Sequence, residues 1–382
     1  MSKRLKIILA TISLLIMLAL AFSAGCLINP SISSTQGPDI NLLTEAWNII
    51  NRNYVEPDKI NATTLNQGAI KGMVDSIKDP YSAYLDPATY KLAQTDYQGS
   101  FSGIGAQVTL NQDNQPMIVA PIQNSPAEKA GIRTGDIILA VNDEPVQGKS
   151  LTEVVLLIRG PAGTSVKLTI LHKDETTPVE ITLVRAQINA PSVTFERRGD
   201  IAYIKISSFS ERTNDELNTA LQKLQLETAT GIILDLRMNP GGIVTTVVDV
   251  ASHFIKEGVI ITLVDNKGNK SSESVNPNGV FTTLPMVVLV DQYSASGSEV
   301  LSGALQDYQR ATIAGTRTLG KGSYDSFFEL SDGSAIYLTI GRWLTPKGRI
   351  IEGKGIEPDY VLTQEGEDAI QWAIDFLHKG KS

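Results

Sequence analysis

The sequence predicts an α/β core that carries a β-rich insertion and follows a helical N-terminal segment. Three observations point there. Residues 188–362 twice repeat a buried strand, a glycine- or serine-rich loop and a helix, the unit from which α/β cores are assembled. Residues 99–187 instead alternate apolar and polar residues in short runs, the period of strands. Residues 40–98 place apolar residues at helical spacing.

The chain starts with an export segment, residues 1–26. Lys3, Arg4 and Lys6 give it a positive start, residues 7–24 are apolar and uncharged, and Ser23-Ala24-Gly25-Cys26 follows. Small residues before a lone cysteine resemble a bacterial lipoprotein cleavage box. That resemblance implies a lipidated Cys26 and a chain tethered to a membrane outside the cytoplasm. Ser23 stands where such boxes usually carry an aliphatic residue, so a plain signal peptide or an uncleaved anchor are the alternatives. With one cysteine in the sequence there is no disulfide framework. Residues 27–39, polar and serine-containing between Pro30 and Pro38, read as a tether.

In residues 40–98, Leu43, Trp47 and Ile50 share one helical face and Ala69, Met73 and Ile77 another, with Pro57, Pro80 and Pro87 as punctuation. Residues 99–187 hold strands at 107–110, 137–141 and 166–170 and one amphipathic helix at 151–158. Gly103-Ile104-Gly105-Ala106 opens this unit. A glycine-rich turn before a strand can point backbone N–H groups at a terminal carboxylate, and it is equally an ordinary hairpin turn. The wider pattern is more specific. Phe101-x-Gly-Ile-Gly, Ser125-Pro-Ala-x-x-Ala-Gly-Ile-x-x-Gly-Asp136 and Arg159-Gly-Pro-x-Gly resemble a PDZ domain along its whole length. The resemblance implies capture of peptide C-termini by strand addition, with an apolar terminal side chain in a pocket.

In residues 188–362, Gly231-Ile-Ile-Leu-Asp-Leu236 precedes Asn239-Pro240-Gly241-Gly242 and a helix over 244–254. Met286-Val-Val-Leu-Val-Asp291 precedes a serine-rich turn and a helix over 298–308. Functional groups of such units belong on the loops that leave the strands. Residues 363–382 close the chain as a helix, centred on 369–377, and a tail.

Composition excludes several classes. Hydrophobic residues make up 42% and charged residues 19%, which suits a globular chain. The net charge is −8 and no long basic run follows residue 6, so a phosphate-neutralising surface for nucleic acid is missing. No His-Glu-x-x-His or other zinc spacing occurs, and no metal or other cofactor is expected. Of three histidines, His172 ends a strand of the insertion, His378 is near the C-terminus and His253 sits on a core helix far past the Gly241-Gly242 loop. A Ser-His-Asp triad does not fit.

Ser294-Ala295-Ser296-Gly297-Ser298-Glu299 follows a strand and opens a helix. Such a turn exposes a side chain beside free N–H groups, as a nucleophile and an oxyanion site require. The hexapeptide alone favours a plainer reading, because Ser296-x-x-Glu299 also spells a capping box. Lysine is the remaining base. It must shed about 3 pH units, roughly 4 kcal/mol, to act near neutrality. Lys321 lies in Leu319-Gly-Lys-Gly322, where small neighbours permit close packing, and by itself this is also a surface turn.

Together these pieces resemble the carboxyl-terminal processing peptidases, the tail-specific proteases. Ser294-Ala-Ser-x-Ser-Glu-x-x-x-Gly-Ala-Leu-Gln-Asp307, Arg310-Ala311, Thr318-x-Gly-Lys-Gly322, Asp332-Gly-Ser-Ala335, Thr345-Pro-x-Gly-Arg349 and Gly355-Ile-x-Pro-Asp359 run in the family's order, within a likeness over about 40–362. The resemblance implies a ClpP/crotonase-like ββα protease core with a PDZ domain inserted before it. It implies Ser296 as nucleophile, Lys321 as base, and an oxyanion held by the N–H of Gly297 and one from Gly241-Gly242. The expected substrates are proteins with apolar C-termini; a homo-oligomer or an activating partner stays open.

Two positions depart from the family. Gly297 replaces the usual alanine after the nucleophile, which keeps a backbone donor on a looser loop. Asp325 replaces the usual glutamine four residues after the lysine. Asp325 is expected to orient Lys321, yet a carboxylate within about 4–6 Å favours the ammonium form, so activity is expected to rise towards alkaline pH or to need a partner. The rival reading is an exported, non-catalytic PDZ adaptor with a degenerate core. Gly315-x-x-x-x-Gly320-Lys321 superficially matches a nucleotide loop, but Gly322 stands where Ser or Thr must hold magnesium.

Overall fold

The computed structural model describes residues 39–95, 101–111, 113–188, 191–226, 229–277 and 279–380. The expected export segment with Cys26 and nearly all of the tether lie outside them. The chain divides into two compact units, at Asn66/Gln67.

In the first unit, Asp39 caps α1 (Ile40–Asn53), its carboxylate accepting the N–H of Asn41 at 3.0 Å. The helix forms as its spacing predicts, yet none of its residues is buried, and Leu43 and Ile50 are exposed. Next comes α2 (Ala62–Asp75), which runs across the boundary.

The second unit begins with a departure from the helical reading of 40–98. Ala83–Leu85 form strand β1, ahead of α3 (Pro87–Thr95). All three residues of β1 are buried.

The insertion follows. β2 (Phe101–Gly103) and β9 (Ala186–Ile188) pair as its stem. Between them lie β3 (Ala106–Leu110), β4 (Pro116–Pro121), α4 (Pro126–Lys129), β5 (Ile137–Val141), β6 (Glu144–Pro145), α5 (Leu151–Ile158), β7 (Ser165–Leu171) and β8 (Val179–Val184). The sheet runs β3-β4-β5-β7-β8, with β6 on β5. Ser150 and Glu153 make a full capping box at α5, and the helix sends Val154 and Ile158 into the same core as Val166, Leu168 and Ile170 of β7. Among the described residues β3 pairs in this sheet only with β4, which leaves its other edge for an added strand.

The core comprises β10 (Val193–Arg198), β11 (Ile201–Ile206), α6 (Thr213–Leu226), β12 (Gly231–Asp235), α7 (Val244–Ser252), β13 (Val259–Asp265), β14 (Lys270–Ser274), β15 (Met286–Val290), α8 (Gly297–Asp307), β16 (Thr312–Gly315), β17 (Ser323–Glu329), β18 (Ala335–Leu344), β19 (Tyr360–Val361) and α9 (Gly366–Lys379). The main sheet runs β10-β11-β12-β15-β16-β19, parallel from β11 onward. Every residue of β12 and β15 is buried, because residues of α7 and α8 pack on one face and of α9 on the other. A second, antiparallel sheet runs β1-β18-β13-β14, with β17 on β18. Its β1 is the strand hidden in the helical segment, with Ala83 opposite Tyr337.

Candidate active site

Two parallel strands deliver the site. β12 ends in the loop that holds Asn239, Gly241 and Gly242, and the neighbouring β15 ends in the turn that holds Ser296. Asn239 ties the loops together. It is fully buried, its carbonyl accepts from Ala295 N–H at 3.0 Å and Ser298 Oγ at 2.9 Å, and its amide nitrogen donates to Ile206 O at 2.9 Å. Asn239 lies in the loop singled out from sequence, but the motif alone gave it no role.

Ser296 sits at φ 50°, ψ −112°, a conformation that costs a non-glycine residue about 1–3 kcal/mol. The surrounding bonds enforce it. The capping box expected here is half formed: Glu299 Oε2 accepts the Ser296 N–H at 2.9 Å, whereas the Glu299 N–H goes to the Ser296 carbonyl at 2.9 Å. The hydroxyl makes no capping hydrogen bond. It is therefore available for chemistry.

Glu299 does more than cap. Its side chain, fully buried, accepts four hydrogen bonds: from Thr318 Oγ1 at 2.6 Å, Gly320 N–H at 2.6 Å, Lys321 N–H at 2.8 Å and Ser296 N–H. Thus one carboxylate joins the serine turn to the lysine loop. Burial pushes its pKa up to about 7, against the pull of the four donors. Only its spacing from Ser296 was legible in the sequence, because its other partners lie 19–22 residues on.

The glycines show why backbone approaches backbone here. Gly241 has φ +102°, and a Cβ on it would lie 2.8 Å from both Gly297 N and Ser296 Cβ. Its N–H donates to Asn239 Oδ1 at 2.8 Å, which withdraws Gly241 from the pair of second oxyanion donors and leaves Gly242. Among the described residues neither Gly242 nor Gly297 N–H finds an acceptor. The expectation of a looser loop at Gly297 is corrected: a Cβ there would meet Val247 Cγ2 at 2.8 Å and Phe209 Cδ2 at 3.1 Å, so this turn is tightly packed. Around the lysine, a Cβ on Gly322 would lie 2.3 Å from Glu352 N, the close packing that the small neighbours of Lys321 suggest.

Lys321 Nζ lies 3.3 Å from Asp325 Oδ2 and 4.3 Å from the centre of the Tyr81 ring. Thr339 Oγ1 donates to Asp325 Oδ1 at 2.7 Å, and a bulge between Tyr324 and Asp325 shifts the register beside it. The structure thus brings Asp325 to the lysine. In this state it does not bond Lys321 Nζ to Ser296 Oγ.

A groove of about 1760 Å³ runs past these groups, larger than the ~300–1,000 Å³ of small-ligand pockets. Ser296, Lys321, Asp325, Gly241 and Gly242 line it, and so do Gly103, Ile104, Gly105 and Ala106. At that end, Ile104 and Gly105 carbonyls accept from Ala127 and Ile122 N–H at 2.8 Å, and their own N–H groups find no acceptor among the described residues. Gly105 has φ +75°, and its Cβ would lie 2.4 Å from Ser125 Cβ. Gln107 Nε2 donates to Ser207 O at 2.6 Å and joins β3 to the core.

The histidines stand elsewhere. His172 Nδ1 is 2.8 Å from Asp136 Oδ1, and His253 bonds Val280 O and Asn214 Oδ1, its pKa lowered by burial. His378 Nε2 lies 2.8 Å from Asp200 Oδ1. Among the described residues no group of three His, Cys, Asp or Glu could hold a metal.

Comparison with known proteins adds the following. Residues 200–362 match the model of peptidase family S41, residues 117–171 the PDZ domain and residues 28–89 the activating protease CtpB N-terminal domain. A probable CtpA-like serine protease of Staphylococcus aureus (strain MRSA252) is 37% identical over 335 residues, 87% of this chain and 66% of that protein. Its counterpart in Staphylococcus haemolyticus (strain JCSC1435) is 38% identical over 323 residues, 84% of this chain and 64% of that protein. In Staphylococcus aureus (strain COL) the figures are 37% over 357 residues, 92% and 71%. The chain thus spans a little under two thirds of the first two. Among solved structures, a photosystem II D1 C-terminal processing protease superposes with TM-score 0.71 at 29% identity, covering 84% of this chain and 92% of that one.

Proposed function

The chain belongs to peptidase family S41 and carries a PDZ domain, and on that premise we propose that it is a serine endopeptidase with Ser296 as nucleophile and Lys321 as base. The observation that carries this is the uncapped Ser296 hydroxyl on a strained turn, tied by Glu299 to the lysine loop and opening on a groove of polypeptide size.

The chemistry follows from the atoms. Lys321, as a free amine, takes the Ser296 Oγ proton while Oγ bonds to the substrate carbonyl carbon. The carbonyl oxygen becomes an oxyanion between the N–H groups of Gly242 and Gly297, a type of contact worth roughly 3–4 kcal/mol. Breakdown expels the amine product, which takes the proton back from the lysine and leaves an acyl-Ser296. A water then attacks the acyl carbon and gives a proton to Lys321; collapse breaks the bond from that carbon to Ser296 Oγ, Oγ takes the proton back from the lysine, and the acid product leaves. For this the lysine side chain must swing from Asp325 towards Ser296.

The substrates are proteins whose apolar C-termini lie along the open edge of β3, with the terminal carboxylate at Ile104 and Gly105. The groove shared by that edge and Ser296 supports delivery of such a chain to the serine. We assign the protein to the outside of the cytoplasmic membrane, tethered by its N-terminal segment either through a lipidated Cys26 or through an uncleaved anchor. Activation by a partner or a second copy remains part of this reading, in keeping with the match of residues 28–89.

One observation favours the rival adaptor: the resting amine pairs with Asp325. Incubation with an unfolded protein ending in apolar residues separates the two. Cleavage abolished by Ser296→Ala and by Lys321→Ala supports the peptidase; tail binding without cleavage at any pH supports the adaptor.

A further inference from the structure

We propose that Tyr81 is a positioning residue for Lys321, its ring face cradling the lysine amine. This rests on the assignment of Lys321 as base and adds a residue that the sequence motifs do not single out.

The ring meets the amine at 4.3 Å from its centre, within the ~6 Å over which an aromatic face attracts a cation. Tyr81 is not part of the groove lining, whereas Lys321 is. The amine thus touches a ring that does not line the groove and Asp325 on β17, which does.

The ring is held firmly enough to position something. The backbone N–H of Tyr81 donates to Asp79 Oδ1 at 3.2 Å, and Ser82 Oγ donates to Asp79 Oδ2 at 2.6 Å. Ser82 Oγ also accepts the Thr339 N–H at 3.1 Å, and β1 continues onto β18. Thr339 is the residue whose hydroxyl holds Asp325. On the other side, Pro80 O accepts the Leu151 N–H of α5 at 3.1 Å, and an ion pair of Lys71 with Glu153 bolsters this junction. The short strap 79–85 is therefore clamped between the PDZ helix and the core sheet.

The charged and titratable groups that meet the amine are Asp325 on β17 and Tyr81 on the strap; nearby, the carboxylates of Glu299 on α8 and Glu352 before Gly353 accept the backbone N–H groups of Lys321 and Gly322, and Tyr337 Oη is 3.5 Å from Asp325 Oδ2. Burial and the charges of Glu352, Asp325 and Glu299 keep the Tyr81 phenol protonated far above its usual range. The hydroxyl is thus no rival base, and the face of the ring is what acts on the lysine.

A ring face favours the ammonium and also fixes where the amine rests. Replacing it with an aliphatic side chain of similar bulk has two effects that a merely structural residue would not combine. The acidic limb of the kcat profile moves to lower pH by about 0.5–1 unit, and the alkaline plateau of kcat falls about ten-fold as the amine loses its rest position, while KM stays put.

The experiment compares the full-length native protein with Tyr81→Phe and Tyr81→Leu, cleaving an unfolded protein with an apolar C-terminus between pH 6 and 10. The expected result is a native profile for Tyr81→Phe and both shifts for Tyr81→Leu. Equal profiles for Phe and Leu, or a change confined to KM, overturn the proposal. Should Tyr81→Leu fail to fold, trifluorophenylalanine at position 81 drains the ring face without changing its shape. It must move the acidic limb in the same direction, and an unmoved limb overturns the idea. Lys321→Ala is the separate control: if it still cleaves, the assignment of the base is wrong, whereas an inactive Lys321→Ala beside a native-like Tyr81→Leu removes Tyr81 alone.

Discussion

Glu299→Gln tests the joint between the serine turn and the lysine loop. The native carboxylate accepts four bonds from four donors. A neutral amide has one oxygen, so an NH2 must face either the N–H groups of Ser296 and Lys321 or the N–H of Gly320 and the hydroxyl of Thr318. One or two buried donors lose their acceptor, at about 1–3 kcal/mol each.

The amide also removes a buried charge. The carboxyl has its pKa raised from 4.5 to about 7, a shift worth about 3 kcal/mol at pH 8. The two terms nearly offset in stability, but only the first acts on the site. At pH 8 the variant should melt within a few degrees of the native protein, yet lose about 100-fold in kcat as the lysine loop drifts from the serine turn.

The sign of the pH dependence gives a second readout. Because the folded pKa is raised, this carboxyl's contribution to stability is fully present below pH 4.5 and is lost as pH rises through about 7. Melting curves of the native protein should therefore show a falling term across that window that Glu299→Gln lacks. A variant with more than half the native kcat, or with the same slope between pH 4.5 and 7, refutes the reasoning.

Other expectations follow from neighbouring contacts. Asp325→Gln removes the carboxylate 3.3 Å from the amine; the acidic limb of the pH–rate profile should move down by about one unit, and an unchanged profile would show that Asp325 does not govern the lysine. Gly241→Ala places a Cβ 2.8 Å from Gly297 N at a positive φ, so a folded protein should cleave at least about 100-fold more slowly as the oxyanion loop is displaced. Gly297→Ala should cost about 1–3 kcal/mol by overpacking, and Val247→Ala, which clears the nearest atom at 2.8 Å, should return part of it in thermal melts. Gly105→Ala, with a Cβ 2.4 Å from Ser125 Cβ, should weaken binding of an apolar-tailed peptide in calorimetry and spare cleavage of short substrates that do not reach the PDZ groove.

What the sequence reveals of this molecule follows the reach of its signals. The helix at 151–158 and the strand at 137–141 appear with the bounds their periods predict, because local spacing decides them. The helices expected at 244–254 and 298–308 form at Val244–Ser252 and Gly297–Asp307, off only at their ends. β1 was hidden in the helical segment: three residues carry no period of their own, and their strand is set by β18, some 250 residues later. Ser296 and Lys321 are legible through motifs in a fixed order. Glu299 is legible only as a capping residue, since its links to Gly320 and Lys321 exist once the chain has folded back. Tyr81 gives no sign at all, because it meets Lys321 across 240 positions.

The most direct measurement is a crystal structure of the protein with a peptidyl boronate, which bonds to a nucleophilic hydroxyl and mimics the tetrahedral state. The expected adduct has boron on Ser296 Oγ, a boronate oxygen between the N–H groups of Gly242 and Gly297, and Lys321 Nζ moved from Asp325 to within about 3.2 Å of Oγ. Boron on another residue, or a lysine still resting on Asp325 beside a modified Ser296, contradicts the account.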